Sequence, residues 1–450
     1  MYIIIMEKLK VHVLLAGLAL CVAFFSCTAD ESNPGGEWNG SSSSPGPSFP
    51  YFGSCSSGPS GFSSDSGPIG PSSPSSASSP SSGSGGLDFT RAHFVNNRLG
   101  KGVNLGNAFD AQCRTDHGGS GSCPTNSLNN AMTGTPSGGW SGCWSNPIQS
   151  GYFSNLKSQG FKSIRLPIRW AEKASDTSPY TIPPGFMSAV KDVADQAIGA
   201  GLPVIINIHH FNELFDDCNG RGHIANDFNN QQKKLVELWR QIANEFKTYS
   251  NDDLVFEILN EPHGRVDAAT FNSILGYVWP VIRETNPGRT IMINSANWGK
   301  LSSLASVTIP RVSGVTDQNV ILSGHYYEPQ CFTHYNEGSC TGGSGISTWG
   351  TSAADINTLR NDIQSGYNSV QTKYPGIPVN IGEFGTTNRV SDTYRAAWLT
   401  EAVKKFNELN LSWHWWAFPN GGWFDGYTCV GSNCSTGSWK SGFEAALKQP

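Results

Sequence analysis

Eight short apolar runs recur between residues 101 and 418, and most are separated by stretches whose apolar residues repeat at helical spacing. The runs read "KGVNLGN" (101–107), "KSIRLPIRW" (162–170), "LPVIINIHH" (202–210), "LVFEILNE" (254–261), "TIMINSANW" (290–298), "NVILSGHYY" (319–327), "IPVNIGEFG" (377–385) and "LSWHWWAF" (411–418). In the spacer "NNQQKKLVELWRQIANEFKTY" (229–249), Leu235, Leu238, Trp239 and Ile242 fall at i, i+3, i+4 and i+7. "SDTYRAAWLTEAVKKFNEL" (391–409) repeats the arrangement, with Ser391 placed as an N-cap. Eight apolar strands with helices between them predict an α/β chain folded as a (β/α)8 TIM barrel over residues 87–450. An open doubly wound sheet is the runner-up. It requires a glycine-rich phosphate turn after the first strand, and "GVNLGN" lacks that glycine spacing and has no helix directly behind it.

The chain before the barrel is of another kind. "MEKLK" followed by "VHVLLAGLALCVAFFSC" has a charged start and an apolar core too short for a comfortable membrane span, so residues 1–27 are expected to be a signal segment. Ser26 before Cys27 fits a bacterial lipoprotein signal, with Cys27 lipidated as a membrane tether; ordinary secretion is the alternative. Either reading places the protein outside the cytoplasm. Residues 28–86, with "SSSSPGPSFP" and "SGPIGPSSPSSASSPSSGSGG", bury too little apolar surface to offset their ordering entropy and are expected to form a disordered linker.

Eleven cysteines are present, three of them (Cys21, Cys27, Cys55) before the barrel. The other eight, Cys113, Cys123, Cys143, Cys218, Cys331, Cys340, Cys429 and Cys434, sit in segments rich in Gly, Ser and Asn. Behind an export signal they point to disulfides, with Cys331–Cys340 and Cys429–Cys434 the simplest pairs because each closes a short loop. A zinc site is the rival, but no CxxC pair occurs. Thirty basic residues stand against 35 acidic ones without a long basic run, which argues against nucleic acid as a partner.

In a barrel of this kind the C-terminal strand ends form the floor of the active site. Reading the last residues of each run gives Asn107, Arg165, His209 with His210, Asn260 with Glu261, Trp298, His325 with Tyr327, Glu383, and Trp415 or Trp416. One such polar cap only satisfies a strand end; caps on every strand, two of them glutamates, converge on a site. Glycoside hydrolysis needs one carboxyl group to protonate the leaving oxygen and a second to attack or direct water, and Glu261 and Glu383 suit those parts. Arg165 could hold a carboxylate ionised. Asn260 could donate to a sugar hydroxyl, Tyr327 to the nucleophile, and His209 or His325 to substrate or a glutamate. Glu257 is read as structural. A His209–His210 metal pair is set aside because adjacent strand residues face opposite ways, and no GxSxG elbow offers a nucleophilic serine. Of the tryptophans near loops or strand ends (Trp140, Trp144, Trp170, Trp298, Trp349, Trp423), some are expected to be sugar platforms and about half packing.

"NEP" with Asn260–Glu261, "IGEFG" with Glu383, "IRLP" with Arg165 and "HYY" with His325 and Tyr327 together resemble glycoside hydrolase family 5. "KGVNLGNAFDA" is similar to the first strand of its cellulase branches, with Val103 where Trp is usual. The resemblance covers Leu87 to the C-terminus. It implies a retaining endo-β-1,4-glucanase acting on cellulose or related β-glucans, without metal or cofactor; a monomer is expected. Glu261 would be acid/base and Glu383 nucleophile; Arg165, His209, Asn260, His325 and Tyr327 would support them, and Trp416 would stack on sugar. It further implies carboxyl groups about 5–5.5 Å apart and a raised pKa on the acid. Mannanase and xyloglucanase activities are the alternatives within the family. A catalytically weak, surface-tethered glycan-binding protein is the alternative outside it.

Overall fold

The computed structural model describes residues 87–111, 146–215, 227–419 and 422–450, all within one unit spanning Ser82–Pro450. The expected signal segment and linker lie outside the described residues, as do Cys113, Cys123, Cys143, Cys218, Trp140 and Trp144. Among the described residues no helix is long and apolar enough to cross a membrane.

The eight runs form a closed barrel of parallel strands: β1 (Lys101–Asn104), β2 (Ser163–Leu166), β3 (Val204–Asn207), β4 (Leu254–Glu257), β5 (Ile291–Ile293), β6 (Val320–Tyr326), β7 (Val379–Phe384) and β8 (Ser412–Trp415). Each strand pairs with its sequence neighbours, and β8 closes on β1 with Lys101 opposite Trp413 and Val103 opposite Trp415. The open-sheet alternative is thereby excluded.

Helices cover the outside for the reasons their sequences give. Phe228–Glu245 starts where the Asp227 side chain accepts from Asn229 N–H, and it buries Leu235, Leu238, Trp239 and Ile242 against the barrel. Asp267 caps Ala268–Thr285, Ser391 caps Asp392–Glu408, and Ser352 with Asp355 forms a capping box on Ala353–Lys373. Of the disulfides expected from loop length, Cys331–Cys340 ties the loop after β6, and Cys429–Cys434 ties a hairpin of Tyr427–Val430 with Thr436–Trp439.

The hydrogen-bonded strands are shorter than the apolar runs, and the difference positions the site. β4 ends at Glu257 and β5 at Ile293, so Asn260, Glu261 and Trp298 stand on the loops that follow. Four of the chosen strand-end residues adopt left-handed backbone: Asn107 (φ 59°), His210 (52°), Glu261 (47°) and Trp298 (55°). A non-glycine residue there costs of order 1 kcal/mol or more and persists only where its surroundings enforce it. Arg165, by contrast, lies within β2 and points into the barrel.

Helix Thr90–Leu99 packs at the opposite end, where a second polar layer crosses the interior. Ser412 Oγ donates to Asn96 Oδ1 (2.6 Å), Asn380 Nδ2 donates to Ser412 Oγ (2.7 Å), Ser323 Oγ donates to Asn380 Oδ1 (3.0 Å), and Ser163 Oγ lies 3.0 Å from His414 Nε2.

Candidate active site

Arg165 organises the upper interior. Its guanidinium, fully buried, donates to both oxygens of Glu257 (2.6 and 3.0 Å), to Glu383 Oε1 (2.7 Å), to Asn104 Oδ1 (2.9 Å) and to Asn260 Oδ1 (2.7 Å). Burial opposes its charge, but Glu257 and Glu383 outweigh burial and hold Arg165 above the ordinary guanidinium range. Glu257, read from sequence as structural, is thus the bidentate anchor that aims Arg165 at Glu383. Its position four residues before Glu261 is the only sequence signal for that part, and Asn104 carries none.

Glu383 accepts a second bond, from Tyr327 Oη at 3.1 Å, and is almost fully buried. A register shift between Gly324 and His325 in the β6–β7 pairing turns His325 toward the mouth of the barrel. There His325 Nδ1 is 2.8 Å from Glu261 Oε1 and 3.7 Å from Glu383 Oε2. One oxygen of each glutamate and a ring nitrogen of His325 lie within 4.8 Å of one another. The Glu261 side chain is 25% exposed and faces a cavity of about 430 Å³ that Trp298, Lys300, Tyr327, Glu328 and His334 also line.

The aromatic residues divide cleanly. Trp415 is buried against Trp439 and Phe443, whereas the Trp416 ring is partly open and parallel to His209 (5.8 Å, 3°). Trp298 is 51% exposed and stacked on His263 (4.9 Å, 12°), leaving one face to solvent. Trp423 is also exposed, with the Arg389 guanidinium 4.1 Å from its ring centroid, while Trp170 and Trp349 are buried. Asn107 stands at the rim beyond β1, near Gly422.

The two histidines after β3 correct the reasoning from alternation. Their rings meet edge to face at 4.2 Å, because β3 has ended at Asn207 and His210 has taken a positive φ. With Asp110 they form a group compact enough to consider as a metal site. The donor set does not fit one. Asn207 Oδ1 accepts from Ile168 N–H (3.2 Å), which turns Asn207 Nδ2 toward His209 Nδ1 (3.2 Å). Burial and the neighbouring His210 keep His209 neutral, with a pKa well below the histidine range. Its proton therefore sits on Nε2, which has no lone pair for a metal and is a hydrogen-bond donor instead.

The two carboxyls are not equivalent. Burial pushes Glu383 up, and Glu261 adds to that push, against the pull of His325 and Arg165. Burial also pushes Glu261 up, but the hydrogen bond and charge of His325, with His263 and Arg165 behind them, together outweigh it and hold Glu261 below the usual carboxylate range. That order is the reverse of the raised acid expected from sequence. Fixed donors nonetheless distinguish the two carboxyls. Glu383 collects a permanent cation and a phenol that burial keeps protonated, whereas the hold on Glu261 comes first from one titratable histidine, with His263 and Arg165 adding to it.

Paired carboxyls across the mouth of a (β/α)8 barrel, flanked by partly open aromatic rings, define a barrel of the glycoside-hydrolase type. The family model described as cellulase (glycosyl hydrolase family 5) matches residues 128–422, and the chain belongs to that family. It is 30% identical over 303 residues to endoglucanase H of Acetivibrio thermocellus, covering 67% of this chain and 27% of that protein. A xyloglucan-specific endo-β-1,4-glucanase of Bacteroides ovatus is 27% identical over 307 residues, covering 64% of this chain and 55% of that one. The chain therefore spans between about a quarter and somewhat over half of these two relatives. Among solved structures, Thermotoga maritima Cel5A in complex with mannotriose superposes with a TM-score of 0.63 at 30% identity, over 80% of this chain and 99% of that one.

Proposed function

We propose that the protein is a retaining endo-β-1,4-glucanase that cleaves cellulose or related β-glucans by double displacement. The observation that carries this reading is the separation of the two glutamates: nearest oxygens within 4.8 Å fit the short spacing of a retaining pair and not the spacing of about 6.5–9.5 Å that an inverting pair keeps. Glu383 attacks the anomeric carbon, with Arg165 and Tyr327 holding its negative charge in place. Glu261 protonates the departing oxygen and then, as a carboxylate, takes the proton of the water that hydrolyses the glycosyl-enzyme ester. Asn260 directs its oxygen to Arg165, so its NH2 turns away from the guanidinium and can meet a sugar hydroxyl. The parallel pair of Trp416 and His209 and the open face of Trp298 offer flat surfaces to pyranose rings on the two sides of the scissile bond. We further propose export through the N-terminal segment, with Cys27 as a lipid anchor and the Ser/Pro/Gly-rich stretch as a spacer for a monomeric enzyme.

The test is reducing-sugar release by the full chain on carboxymethylcellulose, barley β-glucan, xyloglucan and glucomannan, beside Glu383→Ala and Glu261→Ala. The expected result is activity on the unbranched β-glucans that both variants lose. Azide should then restore turnover, giving an α-glycosyl azide with Glu383→Ala and a β-glycosyl azide with Glu261→Ala. Activity confined to glucomannan or xyloglucan would move the substrate, a shift that the mannotriose complex and the xyloglucan-specific relative make concrete. Binding without cleavage of any of the four would favour the tethered glycan-binding protein.

A further inference from the structure

His325 sits among carboxylates, and this raises a problem for an acid/base residue. Burial disfavours a charged ring, yet Glu383 and Glu261 outweigh burial and draw His325 above the ordinary histidine range. If the ring took a second proton, Glu261 would face an imidazolium as a bare carboxylate. The proton needed by the leaving group would then reside on the wrong residue. Both shifts, Glu261 down and His325 up, belong to a charged ring beside a carboxylate. With the ring neutral, its charge no longer holds Glu261 down, and burial, the largest influence on that carboxyl, favours the protonated acid. The choice between the two states falls to the groups that fix the ring.

Asn294, the residue after β5, makes the choice. Its side chain is fully buried, and its Oδ1 accepts from Ser295 N–H at 2.9 Å, which fixes the orientation of the amide. Nδ2 is thereby aimed at His325 Nε2 (3.2 Å) and at Glu257 Oε1 (3.4 Å). An N–H donor facing Nε2 needs a lone pair there, so the ring must carry its single proton on Nδ1, the atom 2.8 Å from Glu261. The turn that follows locks this arrangement. Gly299 has φ +64°, a Cβ on it would meet Asn294 Oδ1 at 2.1 Å, and its carbonyl accepts from His325 N–H at 2.7 Å. The other groups facing the pair are Glu257 from β4, Arg165 from β2, Glu383 from β7, Tyr327 after β6, His209 after β3, and the loop residues His263 and His334.

We propose that Asn294 is a positioning residue of the acid/base pair: by turning an N–H toward His325 Nε2 it forbids a second ring proton, so that the proton shared by His325 and Glu261 stays on the carboxyl. The proposal rests on the glycosidase reading above. No proton is gained or lost in the choice; it only moves between Nε2 of the ring and the Glu261 carboxyl.

Asn294→Asp, nearly isosteric, replaces the donor by an acceptor and should move the proton to His325. The variant then lacks a general acid, and the loss depends on the leaving group. On barley β-glucan, which needs protonation, kcat/KM should fall by about 100-fold or more, the scale of general acid catalysis. On 2,4-dinitrophenyl β-cellobioside, whose leaving group needs no proton, it should fall less than about tenfold. Equal losses on both substrates would mean that Asn294 only supports the fold, and would overturn the proposal. A second measurement requires no variant. In the 15N spectrum of the full chain, with His325 assigned by difference against His325→Gln, the wild-type ring should show a protonated Nδ1 and an unprotonated Nε2. A protonated Nε2 at the working pH would overturn the proposal even if Asn294→Asp failed to fold. If the wild type cleaved neither substrate, the function would fall, while the ring spectrum would still decide the tautomer.

Discussion

The barrel carries two buried polar layers, one at each end, and they are built on opposite terms. At the lower end Asn96, Ser163, Ser323, Asn380, Ser412 and His414 hydrogen-bond one another, all neutral and all turned inward. His414 is held neutral by burial, with its pKa pressed down to about 3. At the upper end the members are charged, and the network stays open: Glu261 is part-exposed and Trp298 and Trp416 keep faces free. A closed neutral layer stabilises a core and offers a ligand nothing. An open charged one is costly to bury and is tolerated where chemistry uses it. Buried polarity alone therefore does not mark an active site; buried charge with one side left open does.

The sharpest way to break this contrast is Glu383→Gln, which keeps shape and removes the proposed nucleophile. Activity on β-glucan should fall by about 10⁴-fold or more while the melting temperature moves by only a few degrees. Retained activity would make the upper layer as structural as the lower. Arg165→Met comes next, because it strands Glu257 and Glu383 without their cation. Urea titration should show a loss of about 3–5 kcal/mol, and turnover should fall by about 10²–10³-fold. A stable Arg165→Met protein would mean that the carboxyls simply take up protons, and that the guanidinium tunes them without holding the layer together.

The upper layer was largely legible in the sequence because strand ends advertise it. An apolar run that stops on Asn260–Glu261 or on His325–Tyr327 shows where the barrel opens, and Arg165 is the charge in the middle of "KSIRLPIRW", between Lys162 and Arg169 at its ends. What connects these residues was not legible. Glu257 and Asn294 lie within apolar runs like ordinary barrel polar residues, and their roles exist only through Arg165 and His325, contributed by other strands. The contact of His209 with His210 was misjudged because the pleat was assumed to continue past Asn207. The lower layer was missed altogether. Ser163, Asn380, Ser412 and His414 occur inside the runs, and nothing in their spacing reveals that they meet. Long-range pairing around a closed barrel is set by register, which a single chain does not display.

The lower layer supplies the mildest test. His414→Gln preserves polarity but loses the ring geometry that sets an Nε2–H donor on Ser163 Oγ, whose own proton goes to Leu99 O, and an Nδ1 acceptor opposite Asn380, so stability should fall by about 1–3 kcal/mol with kcat unchanged. A fall in kcat larger than in stability would mean that the two layers are coupled.

That variant also isolates a pH effect whose sign is fixed. His414 has a folded pKa of about 3 against an ordinary value of 6.5, so between these limits the unfolded chain binds a proton that the folded protein refuses. Its share of stability is complete above pH 6.5 and is lost as pH falls toward 3, at up to about 1.4 kcal/mol per pH unit. Glutamine cannot take that proton, so the gap in unfolding free energy between wild type and His414→Gln should narrow between pH 7 and pH 4. Carboxylates titrating in the same range affect both proteins alike and cancel in the difference. A gap that stayed constant would show that the folded protein admits the proton at His414. The lower layer would then be open to charge as the upper one is, and the distinction between a closed structural network and an open catalytic one would fail where it is most easily measured.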